Sequence, residues 1–151
     1  MRCTFIGHRQ VFEAGIETRV FEAITNLMVE DEDFEFYTGR SGEFVRICHH
    51  AVCKAKLAHN EKNIRTILVE PYMKQSLNSE RIVLKTLFDE ILVPEELIGI
   101  HYKRAITKRN QWMIDRCQYL IAYVQRDFGG AWAALNYAKE RGVTVYNLAN
   151  K

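Results

Sequence analysis

Long hydrophobic runs, paired cysteines and an excess of charge are all missing from this sequence. No apolar stretch approaches the roughly 20 residues that a membrane-spanning helix needs, and the first residues, MRCTFIGHR, are too poor in apolar side chains for a signal peptide. The four cysteines form no CxxC pair and no dense framework, which favours reduced thiols. We therefore expect a cytoplasmic protein with no membrane partner.

The charge is nearly balanced. Lys and Arg number 21 and Asp and Glu number 19, for a net charge of +2. A protein dedicated to binding nucleic acid is usually strongly basic, so this balance disfavours nucleic acid as the partner.

Short apolar segments alternate with longer amphipathic segments along the whole chain. Hydrophobic residues make up 48% of the sequence, enough for a sizeable core in one domain over residues 1–151. Such alternation predicts an α/β fold, a Rossmann-like three-layer α/β/α arrangement with a mostly parallel sheet of five or more strands. The predicted strands cover residues 3–6, 34–38, 64–69, 88–93, 119–124 and 144–148. The predicted helices cover residues 17–29, 44–55, 79–87, 102–116 and 131–142.

Glycine follows three of the predicted strands, in Gly7-His8-Arg9, in residues 39–43 (GRSGE) and in residues 129–131 (GGA). Ligands of open α/β sheets bind outside the carboxyl ends of the strands. Glycine there allows close approach of the backbone, and the N–H groups of a helix N-terminus attract anions, so a phosphate-bearing ligand is predicted. Tight strand-to-helix turns that need glycine for their own geometry are the alternative. The sequence contains neither a Walker A motif nor GxGxxG.

The order of these segments resembles the SLOG superfamily. The shared elements are GHR after the first strand, GxxGEF after the second, PY after the third, and RNxWMID before and GGA after the strand at residues 119–124. This superfamily groups Rossmann-like domains of the LOG proteins, the DprA-like DNA-processing proteins and YpsA, and the small stand-alone relatives of YpsA look most similar. The resemblance covers roughly residues 3–148. It implies a homo-oligomer that binds a nucleotide or nucleotide-derived ligand at the strand ends.

Positions that match the family motifs give a set of expected ligand or phosphate contacts. In this set Arg9 and Arg109 neutralise phosphate charge, and Tyr72 stacks on a base. The basic residues around Arg109 in the stretch 102–116 leave a solvent-exposed helix face as the alternative for that arginine. The expected contacts are Gly7, His8, Arg9, Gly39, Ser41, Gly42, Glu43, Pro71, Tyr72, Arg109, Asn110, Gly129, Gly130 and Ala131.

Two departures from the family bear on catalysis. Many relatives carry an Asp where this chain has Val45, and the glutamates of LOG proteins and of nucleoside deoxyribosyltransferases fall at Asn136 and Ala134. Cleavage of an N-glycosidic bond needs a nearby carboxylate, and none lies between Gly129 and Ala138. The leading prediction is therefore a nucleotide-binding sensor or regulatory module.

Two alternatives to that function stay open. One is a nucleotide N-glycosidase in which Glu43 serves as a displaced catalytic carboxylate. The other is a DprA-like binder of single-stranded nucleic acid, for which the cationic stretch 102–116 offers Trp112 as a stacking residue. We expect no cofactor and no metal site, because His49 and His50 are predicted to point away from the apolar stripe that holds Cys48.

Overall fold

The computed structural model describes residues 1–40, 42–71 and 78–149, in which strands and helices alternate. The strands are β1 (Arg2–Gly7), β2 (Asp33–Thr38), β3 (Asn63–Val69), β4 (Glu90–Leu92), β5 (Tyr119–Tyr123) and β6 (Thr144–Asn147). The helices are α1 (Ile16–Leu27), α2 (Glu43–Ala58), α3 (Asn78–Leu87), α4 (Tyr102–Asp115) and α5 (Gly130–Glu140), with a 3-10 turn at Glu95–Leu97. None of the helices in these ranges has the length and apolar composition to cross a bilayer.

The six strands form one sheet in the order β4-β3-β2-β1-β5-β6, and every neighbouring pair is parallel. This confirms the predicted α/β, Rossmann-like architecture. Strands β2, β3 and β4 follow one another on one side of β1, and β5 and β6 lie on its other side. The strand order therefore reverses between β1 and β5, where Gly7 pairs with Tyr123, and open sheets of this kind have a crevice at that point.

Helices cover both faces of the sheet. On one face, Val20 of α1 and Phe44 of α2 pack against the stacked rings of Phe5 and Phe36. On the other face, α4 and α5 pack against Leu120 and its neighbours. Consecutive residues of a strand point to opposite sides, so β5 contributes to both clusters and is buried on both faces, as its continuous apolarity predicted.

The segment around residue 88 differs from the prediction. Phe88 was expected to begin a strand, but its N–H donates to the carbonyl of Leu84 and its ring is buried. The carboxylate of Asp89 then accepts a hydrogen bond from the N–H of Thr66, and β4 begins only at Glu90. The apolar run from 88 to 93 was thus divided between a helix end and a short edge strand, which hydrophobicity alone does not separate.

One side chain also lies differently from its predicted position. Ile106 was expected to face the core, yet it is exposed, because α4 there borders the crevice instead of the sheet. His49 was expected to point away from the apolar stripe of α2 that holds Cys48. Its ring is half-buried and packs on Phe88, which belongs to a different hydrophobic cluster from Cys48, with 4.4 Å between the ring centroids.

Candidate functional site

A cleft of about 680 Å³ lies at the point where the strand order reverses, at the carboxyl ends of β1 and β5. This volume is within the range of pockets that hold small organic ligands. The loops after β1 and β5, one side of α4 and the first residues of α5 form its walls. Several expected contact residues line it, namely Gly7, His8, Arg9, Gly39, Arg109, Asn110, Gly130 and Ala131.

The other expected contacts are not among the lining residues. Gly42, Glu43, Pro71 and Gly129 do not line the cleft, and Pro71 is buried. Ser41 and Tyr72 lie outside the described residues, so the expected stacking of Tyr72 on a base stays a prediction. Part of the predicted set therefore lines the cleft, and its role in ligand binding stays a prediction.

Glu43 connects the start of α2 to the loop after β1. Its backbone N–H donates to the carbonyl of Arg9 at 2.9 Å, and its Oε2 accepts from the N–H of Val11 at 2.9 Å. A carboxylate in the first turn of a helix also interacts favourably with the helix dipole. These contacts hold the Arg9 loop in place, and they engage one oxygen, Oε2, of the carboxylate that the N-glycosidase alternative requires.

Two of the glycines are needed for packing within the protein. A Cβ at Gly7 would overlap the ring of Phe44, and a Cβ at Gly39 would lie 2.9 Å from Nη1 of Arg109. A side chain at either position would therefore displace a residue of α2 or α4 from the end of the sheet. For Gly7 and Gly39, close packing of the helices accounts for the glycine without any ligand.

Arg109 is buried, with only 7% of its surface exposed. It lies on the same face of α4 as Ala105 and Met113, four residues away on either side, and this face packs on the sheet. Its Nη1 donates to the carbonyl of Val69 at 3.0 Å, and its Nε donates to Oδ1 of Asn110 at 3.1 Å. The solvent-exposed alternative is wrong for this residue, because its guanidinium braces the end of β3 while lining the cleft.

His8 joins the loop after β1 to the loop after β5. Its Nε2 accepts a hydrogen bond from the N–H of Gln125 at 2.9 Å, and its Nδ1 lies 3.2 Å from Nη2 of Arg126. The side chain is 7% exposed. Burial, together with the nearby Arg126 guanidinium, lowers the pKa of His8 below its ordinary value of 6.5, so the imidazole is neutral at pH 7.

Sequence reasoning missed the residues at the mouth of the cleft. Phe12 is 86% exposed, Phe128 is 64% exposed, and both line the cleft with the exposed Arg126. The guanidinium carbon of Arg126 lies 5.3 Å from the centroid of the Phe128 ring, within cation–π range. Their position in the sequence could have predicted them, because Arg126 and Phe128 lie between the most apolar strand and Gly129-Gly130, at the carboxyl end of that strand.

The cleft combines positive charge with aromatic and aliphatic surface. Arg9 and Arg126 supply exposed cations, and Val45 supplies an apolar side chain at the position where many relatives carry an Asp. Within the described part of the chain, no Asp or Glu is among the lining residues. This arrangement attracts an anion that also has a flat or apolar portion.

These features define a class: a Rossmann-like α/β domain with a positively charged crevice where the strand order reverses. No protein-family model and no curated protein matches the sequence. Among solved structures, the chain is similar to DNA processing protein A from Helicobacter pylori, from a structural study of its single-stranded DNA binding mode, with a TM-score of 0.66.

The match to that structure covers 100% of this chain and 66% of the other, so this chain spans just under two thirds of its length. The sequence identity is 13%, and at that level the likeness shows a shared fold. DNA-processing proteins are one of the groups in the SLOG superfamily, so the fold implied by the motif resemblance is the fold observed.

Proposed function

We propose that the cleft binds single-stranded nucleic acid. The observation that carries this proposal is the pair of exposed rings, Phe12 and Phe128, beside the exposed guanidinium groups of Arg9 and Arg126. A single strand presents unpaired base faces that stack on aromatic side chains and phosphates that pair with arginine, whereas a duplex hides its base faces. The single-stranded DNA binding of the structural neighbour supports this proposal.

The balanced net charge is compatible with this function. Net charge is a sum over the whole surface, whereas a strand meets only the charges that line its path. Among the described residues, the acidic side chains are absent from the lining of the cleft, and Glu13 next to Phe12 pairs with Arg19 at 2.9 Å. The local field at the cleft mouth therefore favours phosphate although the total charge is only +2.

A free nucleotide is the second candidate ligand. It is favoured by the concave shape and the volume of about 680 Å³, which suit a molecule that enters the cleft as a whole. Within the SLOG superfamily, we propose that the chain is a relative of YpsA, because the five motif segments occur in the same order. In either case its role is that of a binding module.

Binding of a fluorescein-labelled oligothymidylate of roughly 15 nucleotides, within the site sizes of single-strand binders, tests the proposal by fluorescence anisotropy. Replacing both Phe12 and Phe128 with Ala removes both stacking platforms. Since each base–aromatic stack contributes about 1–3 kcal/mol, we expect the double variant to bind at least tenfold more weakly than the parent.

The matched control is Leu57→Ala, which also truncates an exposed apolar side chain but lies near the far end of α2. It should bind like the parent. Equal binding by the parent and the Phe12/Phe128 variant would contradict the stacking role. Stabilisation by mononucleotides in a thermal-shift assay, without any binding of the oligothymidylate, would favour the second candidate.

A further inference from the structure

The imidazole of His8 meets two hydrogen-bond donors. The backbone N–H of Gln125 donates to Nε2 at 2.9 Å, and Nη2 of Arg126 lies 3.2 Å from Nδ1. A neutral imidazole has one acceptor nitrogen and one N–H, while a guanidinium and a backbone N–H only donate. With Nε2 accepting from Gln125, Nδ1 carries the hydrogen and faces another donor.

No arrangement of protons satisfies both contacts. Moving the hydrogen to Nε2 transfers the conflict to Gln125, and protonating the ring places a donor on each side. Among the described residues, the structure gives the Nδ1–H of His8 no acceptor, although the side chain is more than nine-tenths buried and lines the cleft. A buried donor without an acceptor is costly, and an acceptor from a ligand would remove that cost.

We propose that His8 and Arg126 form a subsite for a terminal phosphate monoester, an inference that rests on the proposed function of the cleft. A phosphate oxygen placed between Nδ1 of His8 and Nη2 of Arg126 accepts a hydrogen bond from each. The first turn of α5 contributes Gly130 and Ala131 to the same cleft, and the N–H groups of a helix start have no partner within the helix. The subsite therefore offers donors from the side chains and from the backbone.

The recessed position of His8 favours a strand end over the middle of a strand. A bridging phosphodiester carries a sugar on both sides and has two free oxygens, so it reaches a buried donor less readily. A monoester is substituted on one side only, has three free oxygens and carries a charge of about −1.5 to −2 at pH 7. Both a strand end and a free nucleotide provide this group, and the experiment separates them.

The experiment compares oligothymidylates with a 5′-phosphate, with a 3′-phosphate and with neither, together with thymidine monophosphate and inorganic phosphate. Hydrogen bonds to charged groups are stronger than those between neutral groups, so we expect one of the phosphorylated strands to bind at least about tenfold more tightly than the unphosphorylated strand. Arg126→Gln should abolish most of that ratio. His8→Phe should do the same, and its melting temperature shows whether it folds.

Lys139→Gln is the matched control, since it removes one exposed positive charge from the other end of α5. It should keep the preference for the phosphorylated strand. An equal loss in Lys139→Gln and Arg126→Gln would overturn the subsite, because it would show a general effect of charge. A preference that survives unchanged in Arg126→Gln would also overturn it.

Failure of the subsite and failure of the proposed function give different results. Equal binding of phosphorylated and unphosphorylated strands by the parent protein would overturn the subsite and leave single-strand binding in place. Binding of thymidine monophosphate or inorganic phosphate that requires Arg126, without binding of any strand, would support the subsite and overturn single-strand binding. Absence of binding to every probe would overturn both.

Discussion

Single residues at the end of the sheet serve the fold and the cleft together. Gly7 lines the cleft, and it also gives the ring of Phe44 room to pack against the end of β1. Arg109 lines the cleft, and it also donates to the carbonyl of Val69 at the end of β3. A substitution at either position therefore changes the shape of the cleft through the packing beneath it, in addition to any effect on a ligand.

Gly7→Ala should destabilise the protein by about 1–3 kcal/mol, the usual cost of adding a methyl group to a close-packed site. The added Cβ overlaps the buried Phe44 side chain, so the ring or the backbone near it must shift. Urea unfolding followed by circular dichroism measures the change. If the overlap is the cause, combining Gly7→Ala with Phe44→Leu should cost less than the sum of the two single changes. Strict additivity would contradict it.

At the scale of elements, the cleft depends on how two loops are held together. The loop after β1 and the loop after β5 belong to neighbouring parallel strands, and His8 connects them through the N–H of Gln125. The side chain of Gln125 also donates to Oε1 of Glu13 at 2.9 Å. A neutral His8 keeps the β5 loop in contact with the β1 loop, and protonation removes the acceptor that this contact needs.

Acidification should therefore lower the stability of the folded protein, and the His8→Gln variant should lose less stability than the parent. The folded state lowers the pKa of His8, so the unfolded chain binds the proton more tightly. The stabilisation is present above about pH 6.5, the ordinary histidine value, and is lost as the pH falls below it. His8→Gln retains an acceptor without titrating. The melting temperature should fall between about pH 7.5 and about pH 5.5 in both proteins, and the fall should be smaller in His8→Gln than in the parent. An identical fall in the two proteins would contradict the prediction. His49, whose pKa is also lowered, is present in both proteins.

Most of the strands and helices could be predicted from the sequence. The apolar runs at β1, β2, β3 and β5 have one physical interpretation, burial between two helical layers, so those strands lie where they were expected. The glycines after β1, β2 and β5 predicted a ligand site at the carboxyl edge of the sheet, which is where the cleft lies. Phe12 and Phe128 were missed because a phenylalanine in a sequence ordinarily indicates a core residue, and only the fold shows that these two are exposed.

The burial of Arg109 was also missed by the sequence analysis. Arg109 lies among other basic residues of α4, and this pattern is typical of a solvated face. It lies four residues from Ala105 and from Met113, so all three share one face of the helix, and both neighbours are buried. The helical spacing therefore favoured burial, but an arginine at a buried position needs acceptors, and the carbonyl of Val69 at the end of β3 is brought to Arg109 only by the fold.

At the scale of the whole molecule, the few exposed cations of the cleft limit how strongly salt can affect binding. Only Arg9 and Arg126 are both exposed and part of the cleft lining among the described residues. Each phosphate neutralised on single-stranded nucleic acid contributes about −0.7 to the slope of log K against log salt concentration. Two such contacts predict a slope of about −1.4, far shallower than that of a protein whose basic surface follows a long strand.

Titrating the oligothymidylate at several salt concentrations measures this slope directly. Arg9→Gln should reduce it to about −0.7, since one phosphate contact is lost, while Lys139→Gln should leave it unchanged because that charge lies at the far end of α5. A slope near zero in the parent protein would mean that bases alone hold the strand. A slope steeper than about −3 would mean contacts to four or more phosphates, more than this cleft provides, and would place most of the binding surface elsewhere on the molecule.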